Sequence, residues 1–176
     1  MLFRNAIIVL AVLSCLGHEE VRASELSVFE KYPGFAPGIF SQPILQLYVT
    51  LSDKVRLGQT DLGERNIVPI TGGYFIGEDI RGEVMSGGAD WQLERADGVK
   101  EIVAQYSIRT DDGQTIMVDN RGISLGQDEN RYRLTAPRFH APAGKYSWLN
   151  ESLFAGTITS IKQPRAVIIR VYKIHE

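Results

Sequence analysis

This chain predicts an all-β fold, a single antiparallel β-barrel with one short helix or helical turn, on three observations. Seventeen glycines and few runs of Ala, Leu, Glu and Lys favour turns and strands over helices. Short runs between Ile44 and Ile174 alternate apolar and polar residues, the period of half-buried strands. Two Asp-Gly pairs, Asp97-Gly98 and Asp112-Gly113, mark hairpin turns because this dipeptide tolerates positive φ. Many antiparallel strands with short connections leave sheet edges exposed, and closure into a barrel removes them.

Taken in order, Ala6 to Leu16 is an apolar run after Arg4, too short to span a bilayer but suited to the core of a secretory signal. Val21-Arg22-Ala23 supplies a cleavage site, so residues 1–23 are read as a signal peptide. Residues 24–42 form a connecting arm and residues 43–176 the barrel. The expected location is periplasmic or secreted, with no membrane contact after cleavage. The alternative is a lipoprotein anchored at Cys15, since Val12-Leu13-Ser14-Cys15 loosely resembles a lipoprotein box. The first strand is Ile44 to Leu51, with Leu45, Leu47, Val49 and Leu51 on one side. Asp61 to Asn66 reads as a polar turn, and Pro69 to Gln92 as the glycine-rich bend of a curled sheet. Gly122 to Asn130 reads as a loop and Tyr132 to Ala141 as a strand interrupted by Pro137. Tyr146 to Ser152 is a helical turn or tight loop, with Trp148, Leu149 and Asn150 plugging one barrel end. Leu153 to Ile161 and Ala166 to Ile174 are the last two strands.

Two-residue loops at the Asp-Gly pairs would place Ala96 opposite Val99 and Asp111 opposite Gln114. Trp91, Leu93, Ile102, Ala104, Tyr106, Ile108 and Met117 would then look into the core, together with Asp119 and Arg121. Asp90, Gln105 and Asn120 would form one row on the other face.

Size and charge bound the function. With 176 residues, 44% of them hydrophobic, the chain buries one core. A net charge of −2 without a Lys/Arg cluster excludes the usual nucleic-acid footprint. The single cysteine lies in the leader, so no disulfide or thiolate chemistry is expected of the mature chain. Only His140 and His175 follow the leader, too few for a His-rich metal site. No glycine fingerprint for phosphates opens a helix, so neither metal nor cofactor is expected. Asp111 and Asp112 belong to a turn. Gly122 to Gly126 matches a nucleophile-elbow pattern without the strand–turn–helix context that chemistry requires.

At Gly-Gly-Ala-Asp-Trp-Gln (Gly87 to Gln92) the chain resembles the uncharacterised family called domain of unknown function 3237. The likeness continues through Thr71-Gly72-Gly73, Arg109 to Gly113, Asn120-Arg121-Gly122, Pro137-Arg138-Phe139 and Trp148-Leu149-Asn150. It spans roughly residues 43–172 and implies a compact barrel, lipocalin-like in outline, with no activity established for most members. The leader and arm depart from the family pattern, which is that of leaderless chains.

The functional expectation is an exported barrel that binds a small, partly apolar or aromatic anion in its interior. Trp91, Tyr106, Asn120, Arg121 and Arg138 are the candidate ligand contacts, with Arg121 able to grip an anion bidentately. The alternative is a cofactor-independent isomerase, cyclase or lyase in which Asp90 or Asp119 moves a proton. A third reading is a barrel with a filled centre that acts through its surface, for instance as a homodimer.

Overall fold

A computed structural model describes residues 43–126 and 131–174, so the expected leader and arm lie outside the described residues. Ten strands follow in chain order: β1 (Leu45–Leu51), β2 (Val55–Thr60), β3 (Gly63–Gly77), β4 (Arg81–Val84), β5 (Ala89–Glu94), β6 (Lys100–Thr110), β7 (Thr115–Leu125), β8 (Tyr132–His140), β9 (Phe154–Ile161) and β10 (Ala166–Lys173). All pairings are antiparallel, and β1 bonds to both β10 and β3, which closes the wall. Ten strands fill eight positions because β1 and β2 share one flank of the long β3, while β4 and β5 share the other.

Alternation in β1 is as the sequence predicts: Leu45, Leu47 and Val49 are buried and meet inward residues of β10 and β3. The segment read as a turn at Asp61 to Asn66 is instead a hairpin, since β2 ends at Thr60 and β3 begins at Gly63. The Thr60 hydroxyl fixes that turn by donating to the Gly63 carbonyl at 2.8 Å. β3 then runs through Pro69 and changes phase near Gly72 and Gly73, so that Val68 and Ile70 point inward before this point and Phe75 after it. Gly73 has φ 139°, and a Cβ there would lie 1.9 Å from the Tyr48 carbonyl oxygen of β1. Only glycine allows that conformation and approach together. β7 continues to Leu125 where a loop was expected, and β8 is unbroken, with Pro137 buried opposite Asn120.

Both Asp-Gly hairpins have three-residue loops. Gly98 donates to the Arg95 carbonyl at 3.0 Å and Gly113 to the Thr110 carbonyl at 2.8 Å, each glycine with positive φ (84° and 87°). This is a turn closed by a bulge glycine, the next commonest hairpin after the two-residue loop. Strand pairs therefore run Leu93 opposite Glu101 and Arg109 opposite Thr115, one residue away from the expected register. A one-residue slip reverses faces. Ile116 and Val118 join Ile102, Ala104, Tyr106 and Ile108 inside, whereas Met117 (43% exposed) and Trp91 (46% exposed) stand on the outer wall.

The core fills the end of the barrel away from the β5–β6 turn. Leu149 of the 3-10 turn Ser147–Leu149 is buried there, Phe139 and Phe154 meet edge to face at 5.2 Å, and Trp148 leans on Phe154 at 6.4 Å. Each such buried side chain contributes roughly 1.5–3 kcal/mol. Asn150 braces the plug by accepting from the Ala141 N–H at 2.8 Å and donating to its carbonyl at 2.9 Å. Asp112 ties the β6–β7 turn to it, accepting from the Tyr146 hydroxyl at 2.9 Å and from Lys145 at 3.3 Å.

Gly73→Ala should cost about 3 kcal/mol or more, from backbone strain and collision with β1. Urea titration would show this as a lower midpoint, whereas a change at Gly98, whose Cβ meets nothing within 4 Å, should cost less.

Candidate functional site

The open end of the barrel holds a cavity of about 420 Å³. Its wall is mainly aliphatic, with Val49, Val68, Ile70, Ile102, Ile158 and Ile169 among the lining residues, and it is within the size range of small-ligand sites. Polar groups enter from particular rows of the sheet. Val68, Asp90, Ala104, Asn120 and Pro137 lie directly across from one another on five successive strands. One row deeper, Tyr106, across from Val118, forms the floor; four residues toward the open end, Lys100 and Arg133, each across from Ser124, form the rim.

Asp90 is held rather than loose. Its Oδ1 accepts from the Val103 N–H at 3.2 Å and its Oδ2 from the Gln92 side chain. The β5–β6 ladder is interrupted between Asp90 opposite Ala104 and Leu93 opposite Glu101, and the carboxylate takes the donor that the gap leaves. Burial pushes the Asp90 carboxyl above its ordinary value, opposed by the Gln92 and Val103 bonds and by the Lys100 and Arg133 charges. Burial likewise raises the Tyr106 phenol, which therefore stays neutral and able to donate. Asn120 is 1% exposed, and neither its Oδ1 nor its Nδ2 has a hydrogen-bond partner among the described residues.

Cations ring the rim. Lys54 and Lys100 share Glu94, at 3.5 and 2.9 Å, and the Lys100 bond is the main cause holding the Glu94 carboxyl below its usual range. Arg165 lies 3.5 Å from Asp53. Arg133 differs: it donates to the Ser160 hydroxyl at 2.8 Å and to the Ser124 hydroxyl at 3.3 Å, and has no carboxylate partner among the described residues. Half-buried, its guanidinium is lowered from its ordinary value, chiefly by desolvation. No group of three or more His, Cys, Asp or Glu able to hold a metal occurs among the described residues.

The expected contacts divide. Asp90, Tyr106 and Asn120 line the cavity together. Asp119, Arg121 and Arg138 do not: Asp119 pairs across the outer wall with Arg138, and Arg121 donates its Nε–H to both Asp119 oxygens, at 3.0 and 3.1 Å. The proposed inward triad of Tyr106, Asp119 and Arg121 is thus split by the wall, and Trp91 is outside as well. Gln92, Lys100 and Arg133 were missed. The signal for Arg133 was available: a register that sends both Asp119 and Arg121 outward leaves β7 an unbroken inward row, and Arg133 then falls in phase with it.

Against known proteins, residues 41–174 match the family model described as "Protein of unknown function (DUF3237)". The chain belongs to this family. A UPF0311 protein of Clostridium acetobutylicum is similar, 32% identical over 148 residues, spanning 76% of this chain and 92% of that one. Two crystal structures share the fold. A conserved protein of unknown function from Rhodopseudomonas palustris has a TM-score of 0.73 and 30% identity, covering 80% of this chain and 100% of its own. A "beta-barrel like protein" from Acinetobacter baumannii has a TM-score of 0.72 and 31% identity, covering 80% and 99%.

Asp90→Asn should raise the melting temperature at pH 7 by a few degrees, because it removes a buried charge while Asn keeps an acceptor for Val103. The sign follows from the raised folded-state pKa: the parent's penalty is full above that value and vanishes as pH falls toward the ordinary 3.8. Melting curves of both proteins between pH 4 and 7 should converge at the acid end.

Proposed function

We propose that this barrel binds a small organic anion with an apolar or aromatic body, its charge at Arg133 and its body among the aliphatic wall residues. The observation that carries the reading is a half-buried guanidinium without a carboxylate partner at the rim of an apolar cavity. Arginine is suited to this because its fork of donors meets a carboxylate bidentately and it stays charged when partly desolvated. Lys54, Lys100, Lys162 and Arg165 add positive potential around the cavity, which favours an incoming anion. The reading places the barrel outside the cytoplasm, on the strength of the apolar run Ala6 to Leu16 and the site at Val21-Arg22-Ala23.

The test compares naphthoate with the uncharged naphthol by calorimetric titration. Naphthoate should bind the parent more tightly, and Arg133→Met should weaken naphthoate roughly tenfold to a hundredfold, the worth of a charged hydrogen bond, without affecting naphthol. Equal affinity of the two compounds for the parent would sink the reading.

A second reading, favoured by the raised Asp90 carboxyl, is a cofactor-independent isomerase, cyclase or lyase on a similar compound. Asp90 would take a proton from carbon beside a carbonyl while Asn120 or Tyr106 stabilises the enolate oxygen. Solvent deuterium exchange into α-tetralone, followed by NMR, should be faster with the parent than with Asp90→Asn. Equal rates would leave a binder alone.

A further inference from the structure

We infer that the cavity contains a second recognition point, a niche over Ala104 between the Asp90 carboxyl and the Asn120 amide, built for a neutral hydroxyl or carbonyl group on the ligand's apolar body. It rests on the anion-binding reading, and it narrows the ligand to an aromatic or alicyclic acid that carries an uncharged oxygen at the end away from its charge.

Geometry defines the niche. Asp90 and Asn120 each face Ala104 across one strand spacing, on opposite sides. Their backbones are therefore about 10 Å apart, twice the spacing of paired strands, with a single methyl group between them. Ile102 above and Tyr106 below bound the gap along β6. Asn120 supplies the independent sign that something polar belongs there: a 1% exposed amide lining the cavity with both polar atoms unpartnered among the described residues. The large majority of buried polar side-chain atoms in native proteins have a partner; Asn66 and Thr135 share the condition of Asn120 among the described residues, but of the three only Asn120 lines the cavity. The amide offers a donor and an acceptor and the carboxylate an acceptor, a set that a hydroxyl can use on both sides of the gap and a carbonyl through the amide N–H.

Charge decides what kind of group fits. An anion in the niche would face Asp90, and a cation would meet the fields of Lys100 and Arg133, both of which act on Asp90. A neutral group avoids both penalties. The distance also constrains the ligand. Arg133 stands in the row of Ser124 and Lys100, four residues along the strands from the row of Asn120 and Ala104, or roughly 13 Å between backbone levels. The guanidinium stays near its own row, on Ser124 and Ser160, so a fused two-ring acid with a hydrogen bond of about 2.9 Å at each end spans the separation.

The experiment uses the barrel with three probes: naphthol, naphthoate, and a hydroxynaphthoate whose hydroxyl lies at the far end of the second ring. The hydroxynaphthoate should bind the parent about tenfold more tightly than naphthoate. Asn120→Leu, close in volume, should erase that gain, so that the variant binds the two acids equally. Ala104→Leu, whose longer side chain grows into the niche, should weaken the hydroxynaphthoate at least tenfold while the native circular dichroism is kept, so the proposal stays testable if Asn120→Leu misfolds. No gain from the hydroxyl, or a gain that survives Asn120→Leu, overturns the niche while leaving the anion site standing. Neither acid binding better than naphthol overturns the anion site, and the niche with it.

Discussion

Everything inside this barrel depends on two loops that each hold three residues. At Ala96 to Gly98 and Asp111 to Gly113 a glycine with positive φ closes the turn, and the count of residues in each loop sets the phase of the neighbouring strands. Because side chains alternate with a period of two, that count assigns the residues of β7, and Asp90 and Trp91 of β5, to the interior or the exterior, while Leu93, in phase with Trp91, is buried all the same. It brings Asp90 and Asn120 to the cavity and sends Asp119 and Arg121 to solvent, where they pair with each other.

The two ends of the barrel are made for different purposes, and the division follows residue size. At one end Phe75, Ile108, Ile116, Phe139, Leu149 and Phe154 fill the interior, and the 3-10 turn lies over them. Toward the other end the inward positions include Ala104 on β6, Gly122 on β7 and Gly156 on β9, too small to meet across the middle. Gly156 could not be larger, since a Cβ would lie 2.4 Å from the Thr135 hydroxyl. The cavity is thus the result of side-chain volume in a closed wall, with polar groups at its margins.

Much of the architecture was legible in the sequence. The all-β class, strand β1, the last two strands, the helical turn and its plug follow from alternation, turn residues and composition, which are local signals. The errors were of phase, and phase is set by loop geometry that Asp-Gly permits in more than one form. For β7 the sequence did hold a correction, because a slip of one residue turns two charges outward and makes Ile116 and Val118 continuous with the core. For β5 it held the opposite: burial preference favours Trp91 inward over Asp90, and only pairing with β3 and β6 overrides it. Two strand segments, Val55–Thr60 and the start of β3, escaped notice because nearly every residue of β2 is exposed and leaves no apolar face to read.

The join between β8 and β9 is the thinnest in the wall, with only Leu134 opposite Thr157 and Thr135 opposite Gly156 in register. Beyond those two rungs the strands are held near the rim by the Arg133 guanidinium reaching the Ser160 hydroxyl. The same group that would clasp a guest is thus a rivet of its container. A guest that drew the guanidinium away from Ser160 would slacken the staves at that seam and so couple occupancy to the looseness of the wall through one side chain.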